Sequence, residues 1–278
     1  MALPSLASIG ITFPIRLLGK DLRMEYNASS SLLAGTVRAA VANGIGTLSF
    51  EHPKSNSLPG RLLGQLAEAI TRLGEEPEAR VIVLRSEGTG AFCAGASFDE
   101  FRAVQTEAEG KRFFSGFGQV VLAMIRAPKF VVTRVQGKAA GGGVGLIAAS
   151  DYVLAVASAE LKLSELAVGI GPFVVGPVIE RKIGLAAFSS LAVDADWRSA
   201  DWAERHGLYS ELLETQPGLD ARLRDFTKKL AGFNPEAMRR LKETFWADTG
   251  HWPELLAARA EISGRLVLSD FTKQAIAK

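Results

Sequence analysis

The chain has 278 residues, 47% of them apolar, enough to bury a sizeable core in one large domain or one and a half ordinary ones; disorder and small stapled folds are excluded. With 32 basic against 30 acidic residues the net charge of +2 gives no broad cationic field for nucleic acid. Cys93 is the single cysteine, and three scattered histidines offer no metal cage with it, so no metal site is expected and the compartment reads as reducing and cytoplasmic.

No run reaches the roughly 18 apolar residues of a membrane helix, and Pro4 and Pro14 interrupt the apolar amino terminus. Residues 1–33 read as a loosely ordered extension; they lack the positive start of a secretory signal, while Arg16, Lys20 and Arg23 against Asp21 leave an organelle presequence open. From Thr36 two antiparallel strands flank the hairpin dipeptide Asn43-Gly44. Leu58, Leu62, Leu63, Leu66, Ile70 and Leu73 then predict a helix capped by Ser57. Val81-Ile82-Val83-Leu84 is a buried strand, residues 106–125 a helix stopped by Pro128, and Phe130-Val131-Val132 a further strand. Gly141-Gly142-Gly143 opens a helix, and Tyr152-Val153-Leu154-Ala155-Val156 is the next strand. The recurrence of strand, strand, helix over residues 34–198 predicts an α/β chain of stacked units rather than one doubly wound sheet. Residues 199–278 read as helices at 200–206, 219–230, 235–246 and 253–268.

The 28 glycines exceed the usual share of about 7%, and two glycine-containing loops draw attention. Phe92-Cys93-Ala94-Gly95-Ala96-Ser97-Phe98 and Gly137-Lys138-Ala139-Ala140-Gly141-Gly142-Gly143-Val144-Gly145 each follow a strand and lead into a helix. Small residues there leave backbone amides free and approachable, and one amide from each loop would suffice to stabilise a carbonyl oxygen turning into an oxyanion. The second loop lacks the Gly-Lys-Ser/Thr ending of a phosphate loop, and no Gly-x-Ser-x-Gly elbow exists, so nucleotide hydrolysis and a nucleophilic triad lack their parts. Cys93, without a nearby histidine, reads as a small buried residue.

With His52-Pro53-Lys54-Ser55-Asn56-Ser57-Leu58 ahead of Ala91-Phe92-Cys93-Ala94-Gly95-Ala96 and the triple glycine, the sequence resembles the crotonase superfamily, the enoyl-CoA hydratase/isomerase family, from about Thr36 onward. The resemblance implies a crotonase-like spiral of ββα units with carboxy-terminal helices that assemble the chain as a homotrimer or a hexamer of two trimers. It implies an acyl-CoA substrate, with coenzyme A entering as part of that substrate and no separate cofactor. By position it implies that the amides of Ala96 and Gly142 form the oxyanion hole, that the Ala94 carbonyl meets the adenine, and that Lys54 faces the phosphates. Lys273 is expected to reach coenzyme A of a neighbouring subunit, and Phe98 and Gly145 are assigned to the substrate's binding site.

The sequence departs from the family pattern at one of two acid/base positions. Where hydratases of the family carry a first glutamate two residues after the triple glycine, this chain has Gly145; the second is kept as Glu165 in Leu163-Ser164-Glu165-Leu166. Glu165 reads either as the catalytic carboxylate or as a helix-start carboxylate after Ser164. Gly141-Gly142-Gly143-Val144-Gly145-Leu146, Leu163-Ser164-Glu165-Leu166 and Gly171-Pro172-Phe173-Val174-Val175-Gly176-Pro177 together resemble a hydratase subgroup linked to 3-methylglutaconyl-CoA. In that case Gly145 vacates room for a branched acyl chain, and Lys138 or Arg181 pairs its distal carboxylate, against the alternative that both are surface charges. Asp99 and Glu100 read as candidate acids or as helix-start charges. Hydration of an enoyl-CoA leads, with one-glutamate double-bond isomerisation and a non-catalytic coenzyme A-binding subunit as alternatives.

Overall fold

A computed structural model describes residues 22–25 and 35–277. Within the expected extension, Leu22–Glu25 (β1) pairs antiparallel with Thr36–Ala42 (β2); the rest of it lies outside the described residues. β2 pairs with Ile45–Glu51 (β3) with Ala42 opposite Ile45, so Asn43 and Gly44, at φ 53° and 79°, make the two-residue turn that their side chains favour.

The main sheet runs β1-β2-β3-β4-β5-β7-β9, where β4 is Val81–Ser86, β5 Val131–Val135, β7 Tyr152–Val156 and β9 Glu211–Leu213. Every pairing from β3 onward is parallel and follows chain order, so the sheet advances in one direction without a switch point. β5 is buried throughout and β4 at all but Arg85, as a sheet covered on both faces requires. After each strand the chain crosses to a second line of short pairings: Leu58 with Ala96, Cys93 with Ala139, and β6 (Ala139–Ala140) with β8 (Leu161–Lys162), while Leu161 also meets Arg198. It then returns through a helix: α1 (Gly60–Glu75), α2 (Phe98–Ala103) with α3 (Glu107–Arg126), α4 (Gly142–Ala148) or α5 (Gly176–Asp194). This is the crotonase-like spiral of ββα units.

The remaining helices are α6 (Ala200–Arg205), α7 (Gln216–Ala231), α8 (Pro235–Phe245), α9 (Trp252–Leu266) and α10 (Asp270–Ala277). Among the described residues no helix is long and apolar enough to cross a membrane.

The local readings need three corrections. Helix α1 starts at Gly60 and Ser57 does not cap it: Pro59 forces Leu58 to be extended, and the Ser57 hydroxyl bonds His52 Nδ1 at 3.1 Å. A helix, α5, occupies 176–194, where glycines and prolines mask its periodicity; Gly184, at φ 76°, interrupts it. The all-helical carboxy-terminal reading misses β9, three half-buried residues with too little length to show alternation.

Candidate active site

Extended Leu58 positions the first loop. Its amide donates to Gly95 O at 2.8 Å and its carbonyl accepts from Ser97 N at 3.3 Å, so in this parallel bridge the Ala96 amide faces the opposite side. Asn56, in the left-handed region at φ 55°, holds the approach to that loop by donating from Nδ2 to Glu87 O (3.0 Å) and Ala91 O (2.9 Å). The loop is then tied to the second by Ala140 N donating to Cys93 O at 2.9 Å.

The glycine run lets the two loops touch. Gly141 has φ 51° and ψ −120°, and a Cβ on Gly143 would stand 2.6 Å from Cys93 O, so a side chain there would force the loops apart. A Cβ on Gly95 would lie 3.6 Å from Gly142 N. Gly142 is the first residue of α4, where an amide has no acceptor within the helix. Among the described residues neither Ala96 N nor Gly142 N donates a hydrogen bond, and both residues line one cavity of about 120 Å³.

Glu165 lines the same cavity. It stands at the start of a 3₁₀ turn, Leu166–Val168, where its side chain makes no capping hydrogen bond. Its Oε2 is sealed from solvent without a hydrogen-bond partner, and Oε1 packs beside Gly141, 3.0 Å from where a Cβ would sit. Burial pushes the carboxyl up to about 7, against a smaller opposing pull from the backbone amides of Glu165 and Ser164. Cys93 is fully buried, and desolvation drives its thiol up to about 12, so it offers no nucleophile.

The other candidates divide. Ala94 and Phe98 line the cavity and are exposed at it. Lys54 lies outside and pairs with Asp99; that bond holds the Asp99 carboxyl below the usual carboxylate range, so Asp99 stays ionised as a surface partner. Glu100 accepts from Gly60 N at 2.8 Å and so closes the start of α1, which has no side-chain cap of its own. Lys273 stands exposed on α10 and does not line the cavity.

The room expected beside Gly145 is absent: a Cβ there would lie 2.4 Å from Val175 Cγ1, and Gly145 is not part of the cavity wall. Nor do the two cations assigned to a distal carboxylate reach the cavity. Lys138 pairs with Glu160 at 2.7 Å and covers the Trp197 ring, and Arg181 donates to the carbonyls of Phe245 and Ala247. What the sequence reading missed is the wall itself: Phe101, Phe113, Phe114, Phe117 and Phe173, with Ser263 from α9. The spacing of Phe98 and Phe101, and of Phe113, Phe114 and Phe117, would have marked a face on each of two helices; nothing in the sequence links those faces to a serine some 150 positions later.

Two residues with unbonded amides and a buried carboxylate lining one apolar cavity make a site for holding a carbonyl while a neighbouring carbon gains or loses a proton. The profile of the family described as Enoyl-CoA hydratase/isomerase matches residues 40–275. The mitochondrial methylglutaconyl-CoA hydratase of Rattus norvegicus is 34% identical over 191 residues, which cover 67% of this chain and 60% of that protein. This chain thus spans about three fifths of that relative's length. The crystal structure of an enoyl-CoA hydratase from Bacillus halodurans superposes with a TM-score of 0.81 at 21% identity, over 87% of this chain and 98% of that one. That of an enoyl-CoA hydratase from Mycobacterium smegmatis does so with a TM-score of 0.73 at 28% identity, over 84% and 91%. With that match running from β2 into α10 and the glycine loops closing on a common cavity, the chain belongs to the enoyl-CoA hydratase/isomerase family.

Proposed function

We propose that the protein hydrates an enoyl-coenzyme A thioester. The observation that carries this reading is the buried Glu165 carboxyl, its Oε2 without a hydrogen-bond partner, in the cavity lined by Ala96 and Gly142, whose amides are free. In this reading the thioester oxygen accepts from the two amides, which stabilise the negative charge that collects there as water adds to the β-carbon. Glu165 takes a proton from the attacking water and returns one to the α-carbon as the enolate collapses, so it ends as it began and a single carboxylate serves both transfers. Coenzyme A enters as part of the substrate; the scheme calls on no metal or further cofactor.

The lone carboxylate also suits isomerisation, in which Glu165 moves a proton from the α- to the γ-carbon of a 3-enoyl thioester through a dienolate. Following thioester conjugation by absorbance separates the readings. Hydration of crotonyl-CoA removes the signal, isomerisation of a 3-enoyl-CoA creates it, and silence toward both leaves a coenzyme A-binding subunit. Glu165→Gln is expected to lower turnover by about 10²–10⁴-fold while coenzyme A binding persists, because it removes the proton carrier and keeps the shape; unchanged turnover ends the assignment.

Association as a trimer or a pair of trimers belongs to the same proposal, as does a cytoplasmic location. Exposed Leu185 and Val193 on α5 and Leu241 on α8 support self-association, and sedimentation giving three or six times the chain mass is the check.

A further inference from the structure

The cavity wall bears on which acyl group the site accepts. Six phenylalanines, Phe98, Phe101, Phe113, Phe114, Phe117 and Phe173, dominate it. Four of them form a continuous set: Phe98 and Phe101 have centroids 5.6 Å apart, Phe101 lies 5.8 Å from Phe113, and Phe113 meets Phe114 edge-on at 5.0 Å. Phe101 and its neighbours also form a small core with Ile170 and Val267, so this wall is braced from behind by α9 and the turn after Glu165.

Among the described residues that line the cavity, the polar side chains are Ser164, Glu165 and Ser263, and none is a lysine or arginine. Lys138, Arg181 and Lys54 are engaged elsewhere, and Arg102 stands exposed over the Phe98 ring, 5.4 Å from its centroid, outside the wall. A carboxylate at the far end of an acyl chain would therefore lose its water against aromatic carbon with no cation to replace it, and would face the like charge of Glu165. Val175 fills the space at Gly145, so the cavity does not extend there. Its volume of about 120 Å³ is comparable to an apolar cavity of about 150 Å³ that admits benzene.

Resting on the acyl-thioester reading of the site, we propose that it selects an uncharged apolar acyl group, up to a phenyl ring in size, and discriminates against acyl groups that carry a distal carboxylate. The ring stacks among the phenylalanines while the thioester carbonyl stays at the two amides. This choice runs against what the name of the Rattus relative would suggest for its own substrate.

The test is a titration of the full chain with two saturated thioesters, which bind without reacting: 3-phenylpropionyl-CoA and glutaryl-CoA. They share the coenzyme A moiety, so the difference reports on the acyl group. Binding of the phenyl compound at least about 30-fold tighter is the expected result; equal affinities or the reverse order overturn the proposal, and binding of neither overturns it together with the reading beneath it. Phe98→Lys, at the exposed rim of the cavity, should narrow the ratio by improving glutaryl-CoA binding, and an unchanged ratio counts against the electrostatic argument. Turnover separates the two levels. Preferential phenyl binding without conversion of crotonyl-CoA or cinnamoyl-CoA removes the hydratase reading alone, whereas hydration of 3-methylglutaconyl-CoA as fast as crotonyl-CoA removes the specificity alone.

Discussion

A carboxyl group placed where water cannot solvate its charge carries its proton to a higher pH, and for Glu165 that displacement has consequences for both rate and stability. With its titration moved from an ordinary 4.5 to about 7, roughly half of the molecules hold the ionised base at neutral pH. If Glu165 accepts the proton from water, kcat/KM for hydration falls about tenfold per pH unit below that value. A profile flat between pH 5.5 and 7.5 in the wild type would show that no such group limits the reaction. The same displacement is linked to folding. A raised folded-state value means that the native chain holds the proton more tightly than the unfolded one. The stabilising contribution is therefore complete below about 4.5 and is lost as the pH climbs through about 7. The roughly 2.5 pH units between these values correspond to about 3 kcal/mol. Glu165→Gln, which cannot ionise, is thus expected to gain stability relative to the wild type between pH 5 and 8. Urea denaturation of the two proteins at both pH values measures that difference. A gap independent of pH would mean that the carboxyl is hydrated in the native state.

Helices α3 and α9 fix the distance between the cavity's aromatic wall and Ser263, and two glycines set it. A Cβ on Gly110 would lie 2.6 Å from Gly264 Cα, and one on Gly264 would lie 2.6 Å from Lys111 N, so the backbones are in direct contact. Gly264→Val should therefore push α9 outward and cost about 1–3 kcal/mol, typical of overpacking. Because Phe113, Phe114 and Phe117 lie on α3, it should also weaken acyl-thioester binding; thermal unfolding and a binding titration on the same sample test both. A variant as stable as the parent would mean that α9 is loosely seated. This contact also marks how far the sequence could be read. The two glycine loops and the strand alternation are local patterns with a local cause, and they were legible; Glu165 was singled out only by the family resemblance, its local pattern fitting a helix-start carboxylate equally well. The partnership of Gly110 with Gly264, the filling of the space at Gly145 by Val175, and the engagement of Lys138 by Glu160 and Trp197 arise only when distant segments meet. Charge and position alone could not tell Lys138 in the cavity from Lys138 on the surface. Helix α5 escaped for a different reason: Pro177 is favourable in a first helical turn, yet beside Gly171, Pro172 and Gly176 it reads as loop.

At the scale of the molecule, a buried ion pair joins a carboxy-terminal helix to the spiral. Lys242 on α8 and Asp151 just before β7, with side chains 2% and 4% exposed, meet at 2.8 Å. The ammonium also donates to Met124 O (2.7 Å) and Lys129 O (2.8 Å), at the end of α3 and before β5. Asp151 in turn accepts from Val131 N at 2.7 Å and from Trp246 Nε1 at 3.2 Å, so the pair has its remaining hydrogen-bonding capacity met from both sides. A pair so placed adds little over an apolar substitute, but it cannot lose one member without leaving the other stranded, and the two members are not equivalent. Asp151→Ala leaves a buried ammonium with two carbonyls and strips Val131 N and Trp246 Nε1 of their acceptor, which should cost about 3–5 kcal/mol. Lys242→Met keeps the length of the side chain and leaves Asp151 two donors, so it should cost less. Since α9 carries Ser263 into the cavity and α10 packs on the turn behind Glu165, the first variant should also loosen acyl-thioester binding under conditions where it remains folded. Chemical denaturation of both variants, paired with titration by 3-phenylpropionyl-CoA, distinguishes these outcomes. A Lys242→Met protein destabilised as much as Asp151→Ala, or an Asp151→Ala protein with undiminished affinity, would mean that the helices hold the cavity closed without this latch.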